Sequence, residues 1–293
     1  MKHASQSTSP ALRSRLAGLA LLVVATSLPA AAQTAFRATS APANTSGSLM
    51  TIDHPALNNK PRVKPLVTQF WDGVYNAHPV GVLYNPAIAK WMLVNEDGAD
   101  IPANAKFNIL IAKGTRTVLA SAANSSSNVT MFTTAKGNPN ALLLATHVAN
   151  PLITLPPTYS PRYHGVFFVP AASTYGNQWS IIAEDEDNIE AIGFHVADVT
   201  KLKNGSNPGA FSLTTNGANI SANSAIIDSP LTNDNPNAFV YIQHVYKVAS
   251  PTYLDKPLGV YYFNGKWRIF TQDNSAMPNN CAFIVAVVPG TGV

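Results

Sequence analysis

Short apolar segments alternate with turn-forming residues along this chain, and no apolar repeat with helical spacing is sustained. The most regular segment is Lys256 to Asp273, KPLGVYYFNGKWRIFTQD, in which two apolar stretches are joined by Asn-Gly. Asn-Gly favours the positive φ angles of a two-residue type I′ turn, so the segment is predicted to be a β-hairpin. The same pattern occurs upstream at His78 to Asp97 and at Tyr163 to Asp185. The chain is therefore predicted to be an all-β protein with an internal triplication.

The three copies can be aligned over their whole length. Each has an apolar strand before the hairpin, a tyrosine before a glycine, and then a tryptophan and an aspartate. The equivalent residues are Tyr75, Tyr159 and Tyr253; Gly81, Gly165 and Gly259; Trp91, Trp179 and Trp267; and Asp97, Asp185 and Asp273. The copies span residues 33–113, 114–200 and 209–293, with a linker at 201–208. We expect three antiparallel β-sandwich or open-barrel modules of about 80 residues, as separate beads or packed around a pseudo-threefold axis.

The first 32 residues have the features of a secretory signal peptide. Lys2, Arg13 and Arg15 accompany the apolar run from Leu16 to Leu28, which is too short to span a bilayer, and the small residues Ala30 to Ala32 form a cleavage site. No later apolar run has the length of a membrane helix. We therefore expect an exported protein, periplasmic or extracellular, without a membrane span.

The leader also accounts for most of the net positive charge. The chain has 19 Lys and Arg residues against 15 Asp and Glu, and without the three leader cations 16 basic residues remain. Because no basic cluster is left, binding to nucleic acid or to an anionic membrane is not expected. The only cysteine, Cys281, cannot form an intrachain disulfide and is predicted to be a buried, inert thiol.

Several short motifs carry a family resemblance. They are IDHP at Ile52 to Pro55, HPVGV at His78 to Val82, NPNA at Asn235 to Ala238, KW at Lys266 to Trp267, and QDNSAMP at Gln272 to Pro278. In these motifs the chain resembles an uncharacterised repeat family of exported bacterial proteins, a domain of unknown function, in three copies that cover essentially the whole mature chain. Copy two departs most, since Tyr163-His164 replaces His-Pro. The resemblance implies a repeat fold and export, and it implies no reaction.

The residues offer two sets of candidate ligand contacts. Tyr75, Tyr159 and Tyr253 are predicted contacts, because binding residues concentrate in loops carried by a rigid scaffold. His147 and His244 are further candidates at equivalent positions of an apolar strand, where copy one has Gln69. The exchange of His for Gln favours a hydrogen-bonding role at the strand end over a catalytic or zinc-binding role. The repeated tryptophans are interpreted as core residues.

Acidic residues follow the tryptophan strand in each copy. Such aspartates are typical of Asx turns, in which the side chain accepts a nearby backbone N–H. In copy two, however, acids occur in close succession at Glu184, Asp185, Asp187 and Glu190. Calcium binds six to eight oxygen ligands, so weak calcium binding at this loop is a hypothesis. No other metal or cofactor is predicted.

These features favour a non-enzymatic exported binding or adhesion protein whose ligand is a glycan or another cell-surface polymer. Three weak sites on one chain can raise avidity by about 10² to 10⁴. One alternative is a structural matrix or spacer protein of the envelope. A second is an enzyme of unrecognised class, with a cleft between modules formed by residues such as His147, His244, Asp185 and Asp273. A deep pocket that unites a histidine with a carboxylate would favour the enzyme. The oligomeric state is not predicted.

Overall fold

The computed structural model describes residue 1 and residues 33–290, except for 154, 155, 174 and 206. The predicted signal peptide covers 1–32 and so, apart from residue 1, lies outside the described residues. Gln33 to Val293 form one compact unit. The described part of this unit is built of β-strands and turns. Among the described residues, no helix is long and apolar enough to cross a membrane.

Each copy contributes seven strands in the same order. Copy one has β1 (Thr34–Thr39), β2 (Thr45–Ser46), β3 (Leu49–Thr51), β4 (Leu66–Phe70), β5 (Val80–Asn85), β6 (Lys90–Asn95) and β7 (Lys106–Ile111). Copy two has β8 (Arg116–Leu119), β9 (Ser125–Ser126), β10 (Val129–Phe132), β11 (Leu143–Val148), β12 (His164–Val169), β13 (Gln178–Ala183) and β14 (Gly193–Asp198).

Copy three follows a small hairpin that forms in the predicted linker. The hairpin strands are β15 (Lys203–Asn204) and β16 (Asn207–Pro208). The seven strands of the copy are β17 (Ala210–Thr214), β18 (Ile220–Ser221), β19 (Ser224–Ile227), β20 (Phe239–Tyr246), β21 (Leu258–Phe263), β22 (Lys266–Thr271) and β23 (Ala282–Val288).

The copies do not fold into separate sheets. Three strands of one copy and four strands of another form each seven-stranded sheet, in the orders β1-β7-β4-β21-β22-β19-β18, β17-β23-β20-β12-β13-β10-β9 and β2-β3-β6-β5-β11-β14-β8. Copy one thus shares a sheet with copy three, copy three with copy two, and copy two with copy one. The sharing is cyclic, so every copy contributes to two sheets.

The two copies in each sheet meet at a parallel pair of strands. These joints are β4 with β21, β12 with β20, and β5 with β11. All other described pairs in the three sheets are antiparallel, so the sheets are mixed rather than purely antiparallel as predicted. The segments 71–79, 149–163 and 247–257 precede the fifth strand of each copy and are longer than ordinary hairpin loops. Their length allows the chain to cross to the next sheet instead of turning back.

The joint strands β4, β11 and β20 meet around an approximate threefold axis. Equivalent backbone N–H groups donate to side chains of the next copy, joining Val67 to Thr146 (3.0 Å), Ala145 to Gln243 (2.9 Å) and Ile242 to Thr68 (3.3 Å). These bonds lead from copy one to two, from two to three, and from three back to one. The copies therefore have the threefold arrangement rather than that of beads.

Hydrophobic cores lie between neighbouring sheets, and the repeated tryptophans lie within them. Trp91, Trp179 and Trp267 are at most 3% exposed, which confirms their interpretation as core residues. Their indole N–H groups donate to the backbone oxygens of Lys60, Asn138 and Asn235, respectively. Cys281 is also fully buried, as predicted, and burial together with the charge of Glu184 raises its thiol pKa to about 11.

Candidate functional site

A cavity of about 140 Å³ lies on the threefold axis, where the three copies meet. Equivalent residues from all three copies line it. From the ends of β4, β11 and β20 they are Gln69, His147 and His244, and from the loops that follow they are His78, Arg162 and Lys256. We call this space the axial cavity. It brings together the two histidines that the sequence singled out.

Each of these histidines forms a buried pair with a glutamate of another copy. Nδ1 of His147 lies 2.5 Å from Oε1 of Glu96, and Nδ1 of His244 lies 2.6 Å from Oε1 of Glu184. Since a carboxylate oxygen accepts, Nδ1 carries the hydrogen and Nε2 is the remaining ring nitrogen. Both Nε2 atoms are buried and have no hydrogen-bond partner among the described residues. The imidazoles are therefore held in one orientation, with an unpaired nitrogen at the cavity.

Backbone groups and glycines hold the two glutamates in place. Their second carboxylate oxygens accept the N–H groups of Ser160 (3.0 Å) and Leu254 (2.9 Å). A Cβ atom at Gly81 would collide with the carboxylate of Glu96, and one at Gly165 with that of Glu184. The recurring glycine thus leaves room for an acidic side chain to cross its strand. This explains a repeat feature that the sequence indicated only as a close approach or a bulge.

The third position equivalent to these histidine–glutamate pairs lies between copies one and three, and there the side chains are amides. Nδ2 of Asn76 donates to Oε1 of Gln69 (3.0 Å), and the backbone N–H of Asn76 donates to Oε1 of Gln272 (3.1 Å). Gln69 is equivalent to the two histidines, and Gln272 is equivalent to the two glutamates. Both members of the third pair are thus replaced by glutamine. This matched substitution was readable in the sequence and would have indicated that the two columns of residues are in contact. The exchange at Gln69 indicated a hydrogen-bonding position, but the pairing of the two positions was missed.

Two ion pairs and one histidine–aspartate pair, which we count with them, surround the mouth of the axial cavity. They join His78 to Asp97 (2.6 Å), Arg162 to Asp185 (2.7 Å) and Lys256 to Asp273 (3.2 Å). In each aspartate the other oxygen accepts the backbone N–H two residues later, at 3.1, 3.2 and 3.0 Å, respectively. The predicted Asx turns are thus confirmed. We call these ion pairs the rim pairs; their side chains are partly exposed.

The four acids considered for calcium have different surroundings. Arg162 lies among three of them, with distances of 2.7 Å to Asp185, 3.5 Å to Asp187 and 2.8 Å to Glu190. Glu184 is turned inward to His244. No group of three or more His, Cys, Asp or Glu side chains in the described part of the chain is arranged to hold a metal ion. Calcium binding at this loop stays a prediction, and it would require the guanidinium of Arg162 to move.

A third histidine of the axial cavity is uncharged. Desolvation lowers the pKa of His164 to about 3, and the neighbouring His147 and Arg162 contribute in the same direction. Its Nε2 atom is also buried without a partner among the described residues. The ring of His164 stacks near that of His147, with centroids 6.3 Å apart. The residues that line the cavity therefore include three histidines whose Nε2 atoms have no partner among the described residues.

The three candidate tyrosines lie apart from the histidines. Tyr75 and Tyr159 are each 44% exposed, whereas Tyr253 is half-buried and its hydroxyl accepts a hydrogen bond from Asn128 (3.3 Å). Burial raises the pKa of Tyr159, and the charge of Glu96 adds to the effect. None of the three candidate tyrosines is among the described residues that line the axial cavity.

Tyr75 belongs to a separate surface groove of about 260 Å³. The groove is lined by Trp71, Tyr75, Asn223, Tyr261, Phe263 and Phe270. We call it the aromatic groove. Ring centroids of Trp71 lie 5.7 Å from those of both Tyr75 and Tyr261, and the rings of Tyr75 and Phe270 are 6.1 Å apart. The groove lies at the parallel joint of copies one and three, so neither copy forms it alone.

The other two joints have fewer aromatic residues at the equivalent positions. At the joint of copies two and three, Tyr246 contacts Phe167 and Tyr253, with ring centroids 5.3 and 4.8 Å apart. At the joint of copies one and two, the positions of Trp71, Tyr261 and Phe270 are occupied by Ala149, Leu83 and Val94, which belong to an aliphatic cluster. The three joints thus share one backbone arrangement but differ in their surface chemistry.

The fold and these sites define an all-β protein in which three repeats share sheets in a cycle and form sites at their joints. The chain belongs to the family described as a domain of unknown function (DUF7452), whose family model matches residues 23–111, 81–198 and 165–287. The matches confirm the resemblance seen in the repeat motifs. They overlap at 81–111 and 165–198, and each overlap contains a hairpin and the closing strand of a copy. Neither curated proteins nor solved structures gave a match.

Proposed function

We propose that the protein is an exported, non-enzymatic binding protein and that the aromatic groove binds a glycan or a similar cell-surface polymer. The observation that carries this proposal is the exposed ring of Tyr75 beside Trp71, Tyr261 and Phe270 at one joint. The leader-like residues 1–32 support export.

The chemistry of the groove suits an uncharged sugar. A sugar ring has apolar C–H faces that pack on aromatic rings, and hydroxyl groups that need hydrogen-bond partners. No charged side chain is among the described residues that line the groove. Nε1 of Trp71 is buried and has no hydrogen-bond partner among the described residues.

The shape of the groove suits a polymer rather than a small molecule. Tyr75 and Phe263 at its border are 44% and 53% exposed. A polymeric ligand can therefore extend past the residues that contact one of its sugar units. The axial cavity, at about 140 Å³, lacks this room. Since the aliphatic joint of copies one and two has no equivalent aromatic set, we propose one principal site instead of three equal sites. Affinity then depends on this groove and not on avidity within the chain.

The test is a binding screen of the mature protein against soluble glycans, insoluble polysaccharides and peptidoglycan, with and without calcium. Trp71 fluorescence reports on the groove, because the other three tryptophans are buried in the cores. Tyr75→Ala is expected to weaken binding at least tenfold, as truncation of an aromatic contact in a binding site commonly does.

Tyr159→Ala is the matched control. Tyr159 has the same exposure and the equivalent repeat position, but the joint of its copy with copy one has an aliphatic cluster in place of the aromatic rings. This variant is expected to bind like the parent protein. Equal losses in the two variants, or binding of every ligand without a change in Trp71 fluorescence, would contradict the proposal.

One observation favours a second candidate, an enzyme. The axial cavity unites histidines with carboxylates, in the pairs His147–Glu96 and His244–Glu184, while Asp185 and Asp273 pair with its lining residues Arg162 and Lys256. An imidazole oriented by a carboxylate through Nδ1 can act as a general base through Nε2. Product analysis of the same glycan screen tests this candidate, since new reducing ends that disappear in His147→Gln and His244→Gln variants would favour catalysis over binding.

A further inference from the structure

Besides Nε2 of His164, three buried polar atoms of the axial cavity have no protein partner among the described residues. They are Nε2 of His147, Nε2 of His244 and Oγ of Ser160. Their residues are 6%, 2% and 1% exposed, and all three line the cavity. Leaving such a group unsatisfied costs about 1 to 3 kcal/mol, so native proteins rarely do so without water or a ligand in place. The cavity is thus a preformed polar site.

The glutamates fix the histidines in a binding orientation. Glu96 and Glu184 each accept one bond from an imidazole Nδ1 and one from a backbone N–H, so neither carboxylate is free to turn into the cavity. The imidazoles cannot rotate without breaking these bonds. Because the ordering is complete before a ligand enters, the site meets little of the entropic cost of binding.

The walls and the rim restrict the class of ligand. Apolar side chains such as Phe194, Leu254 and Leu258 face the same space, so part of the ligand surface is apolar. The rim pairs, with Asp187 and Glu190, place five carboxylates near two cationic side chains, Arg162 and Lys256, and the imidazole of His78. This excess disfavours an anion, and the unpaired polar atoms disfavour a purely apolar molecule.

The size of the cavity limits the ligand to a small molecule. A cavity of about 150 Å³ holds a benzene ring, and the axial cavity is of similar volume at about 140 Å³ with a partly exposed rim. We propose that the axial cavity binds a small uncharged polyhydroxylated molecule, of about the size of glycerol, or one such portion of a sugar, whose hydroxyl groups hydrogen bond to Nε2 of His147 and Nε2 of His244. This site is independent of the aromatic groove.

The first measurement is imidazole ¹⁵N NMR of the mature protein during titration. The probes are glucose, galactose, N-acetylglucosamine and glycerol, and the comparison compounds are sulfate, ethylammonium and toluene. The uncharged polyols are expected to shift the Nε2 signals of His147 and His244 more than the Nδ1 signals. The absence of a shift with all four polyols at millimolar concentration, or a larger shift with a comparison compound, would overturn the proposal.

The second measurement uses a variant that copies an arrangement already present in the chain. Glu184→Gln, His244→Gln and Leu254→Asn together reproduce the amide set of Gln272, Gln69 and Asn76 at the position of the second histidine pair. Calorimetry with the best polyol is expected to show at least a tenfold loss of affinity. Gly217→Ala is the control, because no atom lies within 4 Å of the new Cβ and the residue lines neither proposed site, and it should bind that polyol unchanged.

The two readouts keep this proposal separate from that for the groove. Equal loss of polyol binding in Gly217→Ala, or full polyol affinity in the triple variant, contradicts the axial site. If the triple variant does not fold, the NMR titration of the parent protein still decides the question. If the protein binds no polymer but the Nε2 signals shift as expected, only the groove proposal is contradicted.

Discussion

His195 on β14 lies in the interior with one ring nitrogen engaged. Nδ1 donates to the backbone oxygen of Pro65 at 3.0 Å, and burial lowers the pKa of the imidazole from 6.5 to about 4. At the equivalent position of copy one, Asn108 donates its amide to the backbone oxygen of Val240, also at 3.0 Å. The two copies therefore satisfy equivalent carbonyl groups with different donors, of which only the histidine can take up a proton.

This difference predicts a pH effect that one substitution removes. Above pH 6.5 His195 is uncharged in both the folded and the unfolded chain. Between pH 6.5 and 4 the unfolded chain binds a proton at this residue that the folded chain does not, so stability falls as the pH falls. The loss between pH 7 and pH 4.5 is about 2 kcal/mol from this residue alone. His195→Asn is expected to keep the bond to Pro65 and to remove this loss.

Urea unfolding at both pH values measures the effect. The His195→Asn variant still contains His164, whose pKa is lowered in the same direction. The dependence of unfolding free energy on pH is therefore expected to be weaker in the variant but not absent. An unchanged difference in unfolding free energy between the two pH values would show that His195 titrates alike in both states.

The residues of the axial cavity were only partly predictable from the sequence. The exchange of His147 for Gln69 correctly indicated a hydrogen-bonding residue, because a hydrogen bond can be made by either side chain. The partner, Glu96, comes from another copy and was not identified, since its position depends on which strands share a sheet. The unpaired Nε2 atoms depend on packing in three dimensions and have no counterpart in the sequence.

The hairpin is the element that follows most directly from sequence. Asn264 and Gly265 have φ angles of 49° and 76°, which confirms the predicted positive-φ turn. A second glycine of the hairpin, Gly259, is the one that recurs in every copy. Its equivalents Gly81 and Gly165 make room for the side chains of Glu96 and Glu184. The pattern identified the position as special, but only the structure identifies the side chain that needs the space.

Gly165→Ala is therefore expected to break the pair between Glu184 and His244. The added methyl group would collide with the carboxylate and would lie 3.2 Å from Cγ2 of Ile182. Leaving a buried hydrogen-bonding group without its partner typically costs about 1 to 3 kcal/mol, and we expect destabilisation of that order in urea unfolding. Gly217→Ala is the control, because no atom lies within 4 Å of the new Cβ. Similar stability in the two variants would contradict the crowding at Gly165.

The parallel pairing of strands at the joints could not be predicted from the pattern of apolar residues. Alternating apolar residues predict a strand and its buried face, but they do not specify the neighbouring strand when the connection is long. The segment 149–163 connects β11 to β12 in a different sheet, whereas a short turn would have paired them. Strand existence, repeat order and the tryptophan core were therefore predictable, while the mixed sheets were not.

At the scale of the whole molecule, the candidate sites lie between copies. The aromatic groove combines Trp71 and Tyr75 of copy one with Tyr261 and Phe270 of copy three, and the axial cavity needs all three copies. Intramolecular repeats that share sheets can diversify one joint while the others maintain the fold. The aromatic, mixed and aliphatic joints are consistent with such a division of roles.

The central claim is that the three copies form one interleaved body, on which both sites depend. Recognition sequences for a specific protease can be inserted at Gly114 and Gly205, two turn glycines whose Cβ positions meet no atom within 4 Å. After complete cleavage, the three fragments are expected to elute together in native size-exclusion chromatography at the mass of the intact protein, and to separate only in denaturant. Three folded fragments that elute separately without denaturant would contradict the shared sheets and, with them, both proposed sites.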